Sequence, residues 1–522
     1  MVDNHDIKSP NLPNGVMLNL YPDSCNGNLK GALSLLKQAE LADVFSLLYI
    51  LPSLFESDLD RGFSVISYDL NKELAEREDL ESLQKLGVSL KLDFVLNHLS
   101  VGSPQFKDLL EKGDDSEYVD MFIDWNKFWA GKGEKGPEGF IIPRDEYLSK
   151  LFMRKPEMPV LKLPFPDGTE RFYWNTFYQK VNLLNPDDTK SEKSYLGQMD
   201  LNADSSVVWD FYEDTFKKLS SYGAKIVRLD AFAYLHKEAG SSNFFNEPGT
   251  WDHLEHLKQI ADKYDLTLLP EIHSKYEDKI HEQLAEKGYP IYDFFFPGLL
   301  IHTLETSDNT KLTSWINEIM EKRFKTVNML GCHDGIPVLD VKGYLDDQAI
   351  EGLIGLIKTR GGRVKDLFGA DGKKISYYQI NATFFSALGE NEKKMLLARA
   401  IQIFMPGTPQ VWYLDLFAGT NDYEAADNIG HKDINRTNLT EKEILAGLET
   451  SIVEKQLKLL KFRNTNPAFG TGATLEMDNT DKENLTMLWV KNGHSARLEA
   501  NLREYRFHIY YKKGDEEWFS LL

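Results

Sequence analysis

Three acidic residues of this 522-residue chain, Asp230, Glu271 and Asp334, each follow a short apolar run. Carboxyl groups that meet in one pocket can divide into an ionised group and a protonated group, as nucleophilic and acid–base catalysis require. Because Arg228 lies two residues before Asp230 on the same strand face, it can hold that carboxyl ionised. The sequence therefore predicts a single active site built around these three acids.

The runs that precede the acids are predicted to be strands of a parallel sheet. They are short and mostly apolar, as strands buried on both faces are, and helical patterns separate them. Eight such runs occur: Val16–Tyr21, Asp43–Leu51, Leu90–Asn97, Lys225–Asp230, Leu266–His273, Ile291–Phe296, Thr326–Asp334 and Gln402–Tyr413. Eight strands that alternate with helices predict an α/β fold, the (β/α)8 TIM barrel, whose strands converge at their carboxyl ends. This convergence would bring the three acids together.

Two long connections and a change of pattern near the C-terminus divide the chain further. We predict barrel segments at 1–98, 203–334 and 391–466, an inserted subdomain at 99–202 after strand 3, a second at 335–390 after strand 7, and a C-terminal domain at 467–522. Short alternating stretches in the last segment, such as Thr486–Val490 and Phe507–Tyr511, predict a small antiparallel β domain. Both insertions would border the catalytic face.

Composition and charge exclude several classes of function. A net charge of −21 and a pI near 5.1 argue against a nucleic-acid or membrane partner, since both need clustered Lys and Arg. The two cysteines, Cys25 and Cys332, predict no disulfide framework and fit a reducing, cytoplasmic location. The segment Met1–Asp6 lacks a signal-peptide pattern. Neither a zinc motif nor a glycine-rich phosphate loop occurs, so we expect no cofactor and no metal.

The segments that contain the acids also resemble a known family. Asp93–His98, Arg228–Asp230, Glu271 and His333-Asp334 resemble the four motifs of the alpha-amylase family of glycoside hydrolases, in the same order and strand context. The closer resemblance is to the sucrose phosphorylase branch, the glucoside phosphorylases. It covers roughly residues 15 to 470 and is carried by Asp60–Phe63, Arg228–Ala231, Glu271–His273, His333–Ile336, Tyr378–Asn381 and Asp433–Arg436.

The resemblance implies a role for each acid. Asp230 would be the nucleophile, Glu271 the general acid/base and Asp334 the carboxylate that orients the sugar and stabilises the transition state. A retaining glycosyl transfer needs an ionised and a protonated carboxyl group about 5 Å apart, which Asp230 and Glu271 would supply. The residues implied in substrate binding are Asp60, Phe63, His98, Arg228, Tyr234, His273, His333 and Arg436.

Inorganic phosphate would be the second substrate, and an acidic chain must supply local cations for it. Lys150, Arg154 and Lys155 cluster in the first insertion, and the resemblance implies phosphate binding by Arg154 or Lys155. A solvated surface cluster is the alternative. The expected acceptor-side contacts are Phe177, Tyr344, Asp346 and Asp347.

The resemblance leaves the donor sugar open. It implies a retaining glucoside phosphorylase, most commonly of sucrose, which forms α-D-glucose 1-phosphate and fructose through a covalent glucosyl-enzyme. Sucrose 6′-phosphate, glucosylglycerol and glucosylglycerate are alternative donors, because the run Ile434–Asn438 and an insertion at 181–197 depart from the usual pattern. A retaining α-glucosidase or transglucosylase is a further alternative, and a non-catalytic binding barrel another. The enzyme is expected to be a monomer or a homodimer.

Overall fold

A computed structural model describes residues 12–151, 158–177, 197–368, 374–478 and 480–521 of the protein. Eight parallel strands form its central sheet, and we number them β1 to β8 in chain order. They are β1 Met17–Leu20, β2 Leu47–Ile50, β3 Ser89–Val95, β4 Ala224–Asp230, β5 Thr267–Pro270, β6 Ile291–Asp293, β7 Thr326–Met329 and β8 Thr408–Trp412. Neighbouring strands are consecutive in the chain, β8 pairs with β1, and β5 lies beside β6. The predicted (β/α)8 barrel is therefore confirmed.

The register of the strands places the polar groups of the barrel mouth side by side. In β4, Arg228 lies opposite Asp93 of β3 and Leu269 of β5. The next residue of β4 lies opposite Pro270, so Glu271 leaves β5 at the level where Asp230 ends β4. Parallel strands in this register carry their terminal side chains to the same end of the barrel.

Helices on the outside of the barrel connect the strands. They include Leu29–Leu36, Arg77–Lys85, Ser206–Ser221, Gly249–Lys263, Ile280–Glu286, Phe296–Thr306, Thr310–Lys322, Glu392–Phe404 and Ser451–Thr465. Ser206–Ser221 shows why they form, because its buried side chains recur at three- and four-residue spacing. From this face, Tyr212 and Phe216 pack on Phe94, with ring centroids 5.2 and 5.0 Å apart. Among the described residues, no helix is long and apolar enough to span a membrane.

The connection between β3 and β4 has a small hydrophobic core of its own. Its antiparallel strands Val160–Pro164 and Glu170–Trp174 pack on Trp125, whose ring lies 4.8 Å from that of Trp174. A second antiparallel pair, Gln198–Asp200 with His98–Ser100, joins the end of the connection to the residues that follow β3. This connection therefore borders the barrel mouth.

The connection between β7 and β8 contains the helix Asp347–Thr359 and a three-stranded antiparallel sheet. The strands of this sheet are Ile336–Pro337, Arg363–Phe368 and, between them, Lys374–Asn381. Gly335 allows the close approach of two strands, because a Cβ there would lie 2.3 Å from the carbonyl oxygen of Ile380. The residue before this glycine is Asp334, which is thereby positioned against the small sheet.

The chain ends in a five-stranded antiparallel sheet. Its strands, adjacent in chain order, are Thr474–Asp478, Asn484–Lys491, His494–Asn501, Arg506–Lys513 and Phe519–Ser520. Trp489 attaches this sheet to the barrel, because its indole N–H donates a 2.8 Å hydrogen bond to the carbonyl of Phe404 and its ring lies 6.1 Å from that of Phe469. The predicted C-terminal antiparallel sheet is confirmed.

Several predicted strands are longer than the observed ones. The run predicted as Gln402–Tyr413 begins inside the helix Glu392–Phe404, and the strand starts only at Thr408. The run predicted as Ile291–Phe296 ends as a strand at Asp293, because a helix begins at Phe296. These ends were predicted wrongly, since an apolar run buried on all sides has no periodicity that separates strand from helix.

Candidate active site

A cavity of about 1120 Å³ opens at the carboxyl ends of the barrel strands and brings the three predicted acids together. Asp230 ends β4, Glu271 follows β5 and Asp334 follows β7. The other predicted site residues that line this cavity are Asp60, Phe63, His98, Phe177, Tyr234, His333 and Arg436. The cavity is large enough to enclose a small-molecule substrate.

Arg228 connects the two carboxyl groups predicted to carry out the chemistry. Its Nη1 lies 2.6 Å from Asp230 Oδ1 and its Nη2 lies 3.2 Å from Glu271 Oε1. The same Nη1 also donates to Asp93 Oδ1 at 2.6 Å. All four side chains are largely buried, so the guanidinium is the positive charge that compensates these carboxylates. Asp230 and Glu271 consequently face one another across a single guanidinium.

Asp230 and Glu271 titrate as a coupled pair. Burial raises the pKa of Asp230, and the neighbouring Glu271 charge raises it further although Arg228 opposes both effects. Burial also acts to raise the pKa of Glu271, but Arg228 and His273 outweigh it and lower that pKa. The two titrations are therefore coupled, and the proton that remains near neutral pH belongs to the pair and not to one residue.

His273 adds a second positive charge beside Glu271. Its Nε2 lies 3.3 Å from Glu271 Oε1 and its Nδ1 lies 3.0 Å from Asp340 Oδ2. Although burial opposes protonation, Asp340 and Glu271 raise the pKa of His273 to about 10. The imidazole ring stacks on Phe294, with centroids 4.0 Å apart, which fixes its orientation. His273 therefore adjoins the predicted acid as an imidazolium.

Asp334 is held ionised by three neighbours. His333 Nε2 lies 3.2 Å from its Oδ2, while Lys432 Nζ and Arg436 Nη2 lie 2.9 and 3.5 Å from its Oδ1. Burial would raise the pKa of Asp334, but these three groups hold it well below its ordinary value. The backbone carbonyl of Asp334 accepts hydrogen bonds from two side chains of the small sheet, Gln379 at 2.8 Å and Asn381 at 2.9 Å.

Asp60 lies on a strained turn at the rim of the cavity. Asp60 and Arg61 have positive φ angles of 46° and 50°, a conformation that costs free energy in non-glycine residues and is common at functional sites. Gly62 completes the turn with φ 111°, and a Cβ there would lie 2.1 Å from a backbone nitrogen. The turn presents the Asp60 carboxylate to Lys432 at 3.3 Å and to Arg436 at 3.7 Å.

Phe63, His98 and His333 form an ordered aromatic wall. The rings of Phe63 and His333 are stacked, with centroids 5.1 Å apart and planes 12° from parallel. His98 Nε2 donates a 2.9 Å hydrogen bond to the carbonyl of Phe63. Burial lowers the pKa of both histidines, so they are neutral at physiological pH. These side chains can present ring faces and imidazole nitrogens to a polyol ring.

Lys237 fixes the loop after β4 to the first insertion. Its buried ammonium lies 2.9 Å from Asp200 Oδ2, 2.9 Å from Asn97 Oδ1 and 2.7 Å from the carbonyl of Tyr234. Asp200 also accepts hydrogen bonds from the backbone and hydroxyl of Thr176, at 2.9 and 2.5 Å. The ring of Tyr234 is thereby kept at the wall of the cavity, beside Phe177.

Three residues predicted on the acceptor side lie elsewhere. Tyr344 packs on Tyr276 and Trp315, at centroid distances of 4.7 and 6.0 Å. Asp346 accepts the 2.8 Å hydrogen bond of the Ala349 N–H as the N-cap of a helix, and Asp347 is the first residue of that helix. These three residues lie at or just before the helix Asp347–Thr359 and do not line the cavity. Their position does not support an acceptor role. Arg154 and Lys155 lie outside the described residues, as does most of the insertion at 181–197.

Sequence reasoning missed several residues that line the cavity. They are Gln198, Lys365, Tyr378, Gln379, His431 and Lys432. Tyr378 and Gln379 belong to a segment that resembles the family, and Lys432 directly precedes another such segment. The sequence therefore pointed to these three positions without indicating what each side chain does. The position of Lys365 depends on the fold of the small sheet, which the sequence pattern did not predict.

One group of potential metal ligands lies in the described part of the chain, away from the cavity. His281, Glu282 and Glu318 have ligand atoms within 4.8 Å of one another. Two lysines already neutralise this group, because Lys279 lies 2.8 Å and Lys322 lies 2.7 Å from Glu282 Oε1. This ion-pair network on the helical face gives no support for a bound metal.

Comparison with curated proteins identifies close relatives over nearly the whole chain, although no family model matches it. The chain is 58% identical over 507 residues to a sucrose 6(F)-phosphate phosphorylase of Ilumatobacter coccineus, which covers 95% of this chain and 96% of that protein. It is 32% identical to a sucrose phosphorylase of Streptococcus mutans, over 95% of this chain and 97% of that one.

Solved structures give the same result. The crystal structure of sucrose 6F-phosphate phosphorylase from Thermoanaerobacter thermosaccharolyticum matches with a TM-score of 0.87 and 34% identity, over 99% of both chains. An alpha-amylase from H. orenii, at 16% identity and a TM-score of 0.61, shares the fold. The chain therefore belongs to the glucoside phosphorylases of the alpha-amylase family, in the sucrose phosphorylase branch.

Proposed function

We propose that this phosphorylase takes sucrose 6F-phosphate, sucrose phosphorylated on the fructosyl unit, as its donor. The observation that carries the donor assignment is the 58% identity to a sucrose 6(F)-phosphate phosphorylase, against 32% to a sucrose phosphorylase. Sucrose is favoured by its frequency in the family alone, whereas the higher identity favours sucrose 6F-phosphate, the donor called sucrose 6′-phosphate above. The products would be α-D-glucose 1-phosphate and fructose 6-phosphate.

The first half of the reaction assigns complementary roles to Asp230 and Glu271. The ionised Asp230 carboxylate attacks the anomeric carbon of the glucosyl unit, while Glu271 donates its proton to the glycosidic oxygen, and the fructosyl product leaves. This step needs the proton of the coupled pair on Glu271. Arg228, which contacts both groups, would stabilise Asp230 as the carboxylate in this step.

The second half reverses the first with phosphate as the nucleophile. A phosphate oxygen attacks the anomeric carbon, the bond to Asp230 breaks, and Glu271 accepts the proton of the incoming phosphate when it carries one. Two inversions leave α-D-glucose 1-phosphate with the configuration of the donor. Asp334, ionised beside Lys432 and Arg436, would stabilise the positive charge that develops on the sugar ring.

The remaining cavity residues would hold the glucosyl unit. Asp60 and Arg436 face each other at 3.7 Å on the side of Asp334, so they suit the hydroxyls at the far end of the ring. Phe63 offers an apolar ring face, and the neutral imidazoles of His98 and His333 offer hydrogen-bond donors and acceptors. Together these groups suit the hydroxyls and the apolar face of one glucosyl unit.

Other properties of the chain support a small-molecule enzyme of the cytoplasm. Its net charge of −21 disfavours nucleic acid as a partner, and its two cysteines are both buried and free, as a reducing compartment allows. We propose that it acts as a monomer or a homodimer, which measurement of its mass in solution would decide.

Asp230→Asn should abolish formation of the glucosyl-enzyme with little change in side-chain volume. We expect kcat to fall at least about a thousandfold, because the attacking carboxylate is lost. Retained turnover in Asp230→Asn would contradict the role of Asp230 as the nucleophile.

Glu271→Gln should be comparably slow with the sugar donor, whose leaving group needs a proton. The variant should be much less impaired in the first step with α-glucosyl fluoride, because fluoride leaves without a proton. Equal impairment of Glu271→Gln with the sugar donor and with α-glucosyl fluoride would contradict the role of Glu271 as the acid.

The donor assignment is tested by measuring release of α-glucose 1-phosphate from sucrose 6F-phosphate, sucrose, glucosylglycerol and glucosylglycerate. We expect the highest kcat/KM for sucrose 6F-phosphate and strong dependence of donor cleavage on inorganic phosphate. A higher kcat/KM for another donor would replace the proposed one. Equal rates with and without phosphate would instead indicate a glucosidase or transglucosylase.

Asp340→Asn should shift the pH dependence of the reaction. Without the Asp340 carboxylate the pKa of His273 falls, and the loss of positive charge beside Glu271 raises the pKa of the Asp230–Glu271 pair. The shared proton is present below that pKa and is lost above it, so the alkaline limb of kcat/KM should move to higher pH. Asp346→Asn, at a helix cap away from the cavity, is the matched control. An unmoved limb, or movement to lower pH, would disprove this coupling.

A further inference from the structure

A second, smaller cavity adjoins the main one on the side of Glu271. Its volume is about 170 Å³, and we call it the side chamber. It shares Ala231, Tyr234, Glu271 and Tyr378 with the main cavity, so the two cavities adjoin at Glu271. Its volume is sufficient for a compact group the size of a phosphate.

Three consecutive polar residues after Glu271 line the side chamber, namely His273, Ser274 and Lys275. They belong to the loop that leaves β5, before the short helical turn Tyr276–Asp278. His273 is the imidazolium described above, Ser274 offers a hydroxyl, and Lys275 offers an ammonium group. His273 contributes positive charge alone, because its ring nitrogens face Glu271 and Asp340, whereas a hydroxyl and an ammonium group are typical donors to phosphate.

We propose that the side chamber binds a phosphate group on the acceptor side of the reaction, with Lys275 as its principal cation. The proposal rests on the proposed function, because it names the residue that would recognise the phosphate in that reaction. The phosphate could be the ester of the fructosyl unit or the inorganic phosphate that attacks second. Both have the same chemistry, and the kinetic test below separates them.

The position of Glu271 is the reason to place this phosphate in the side chamber. Glu271 protonates the glycosidic oxygen, so the leaving unit must lie on its side, and the incoming phosphate must approach from that side too. The cations Lys432 and Arg436 of the main cavity are paired with Asp60 and Asp334, and neither lines the side chamber. Lys365 also lines the main cavity and not the side chamber, so Lys275 is the lysine best placed to meet a phosphate there.

The local ion pairs of Lys275 do not prevent this role. Its Nζ lies 3.3 Å from Glu277, and the two side chains are 34% and 56% exposed. An ion pair this exposed is weak, so the ammonium can exchange Glu277 for a bound phosphate dianion. The Asp278 carboxylate also lines the chamber, but its Oδ2 accepts the backbone N–H of Lys275 at 3.2 Å and so closes the turn.

The test compares Lys275→Met with Lys275→Arg and with Lys279→Met in the full-length enzyme. Lys279 is four residues further on and pairs with Glu282 at 2.8 Å, outside the chamber, which makes its variant the matched control. Initial rates give KM for sucrose 6F-phosphate, for sucrose and for inorganic phosphate. Thermal unfolding of each variant shows whether the fold is intact.

We expect Lys275→Met to raise one phosphate-dependent KM roughly ten- to a hundredfold, the loss that follows removal of a charged hydrogen-bond partner. If the chamber holds the ester, KM rises for sucrose 6F-phosphate and not for sucrose or inorganic phosphate. If it holds inorganic phosphate, KM for phosphate rises with either donor. Lys275→Arg should retain most of the affinity, and Lys279→Met should behave as wild type.

Unchanged KM values for both phosphate compounds in a folded Lys275→Met variant would overturn the proposal. An equal rise for sucrose and sucrose 6F-phosphate without change in the KM for phosphate would also overturn it. The donor assignment stands or fails separately, on the preference of the wild-type enzyme. A wild type that prefers sucrose would refute the donor while the KM for inorganic phosphate still decides the role of Lys275.

Discussion

The site depends on one buried guanidinium that must compensate several carboxylates. Arg228 contacts Asp93, Asp230 and Glu271, and among these residues it is the one positive charge. Buried charge is costly unless it is paired, so loss of the guanidinium would leave like charges facing one another in the barrel mouth. The hydroxyl of Tyr49 donates a 3.0 Å hydrogen bond to Asp93 Oδ1, the same oxygen that Arg228 contacts.

The architecture makes this arrangement possible because closure of a parallel barrel fixes neighbouring strands in register. Arg228 lies opposite Asp93 by strand pairing alone, and Glu271 follows the residue paired with Leu229. Charges added by loops then differentiate the acids. His273 lies beside Glu271, whereas Lys432 and Arg436 lie beside Asp334. Each carboxyl group thus has its own electrostatic surroundings, which is how acids of similar chemistry acquire different roles.

Much of the fold and the centre of the site could be predicted from sequence, because short-range patterns determine them. The run before Asp230 is apolar because it is a strand buried on both faces of the sheet. The carboxyl ends of such strands converge in a barrel. The helix Asp347–Thr359 also follows a short-range pattern, since its buried residues recur at helical spacing.

The walls of the cavity were harder to predict because they depend on long-range folding of the connections. Tyr344 was expected near the acceptor, yet the chain between β7 and β8 folds so that Tyr378 and Gln379 line the cavity instead. Their strand pairs with Arg363–Phe368, a contact that no local pattern encodes. Lys432 reaches Asp334 across more than ninety residues of chain, and a solitary lysine in a sequence is most often a surface residue.

Direct detection of the covalent glucosyl-enzyme tests the central claim that Asp230 attacks the anomeric carbon. The Glu271→Gln variant, incubated with α-glucosyl fluoride and quenched with acid, should accumulate the intermediate because its breakdown lacks a general base. Peptide mass spectrometry should then find one anhydroglucose unit attached to Asp230. Attachment to another residue, or turnover of the fluoride with no adduct at any time, would contradict the account.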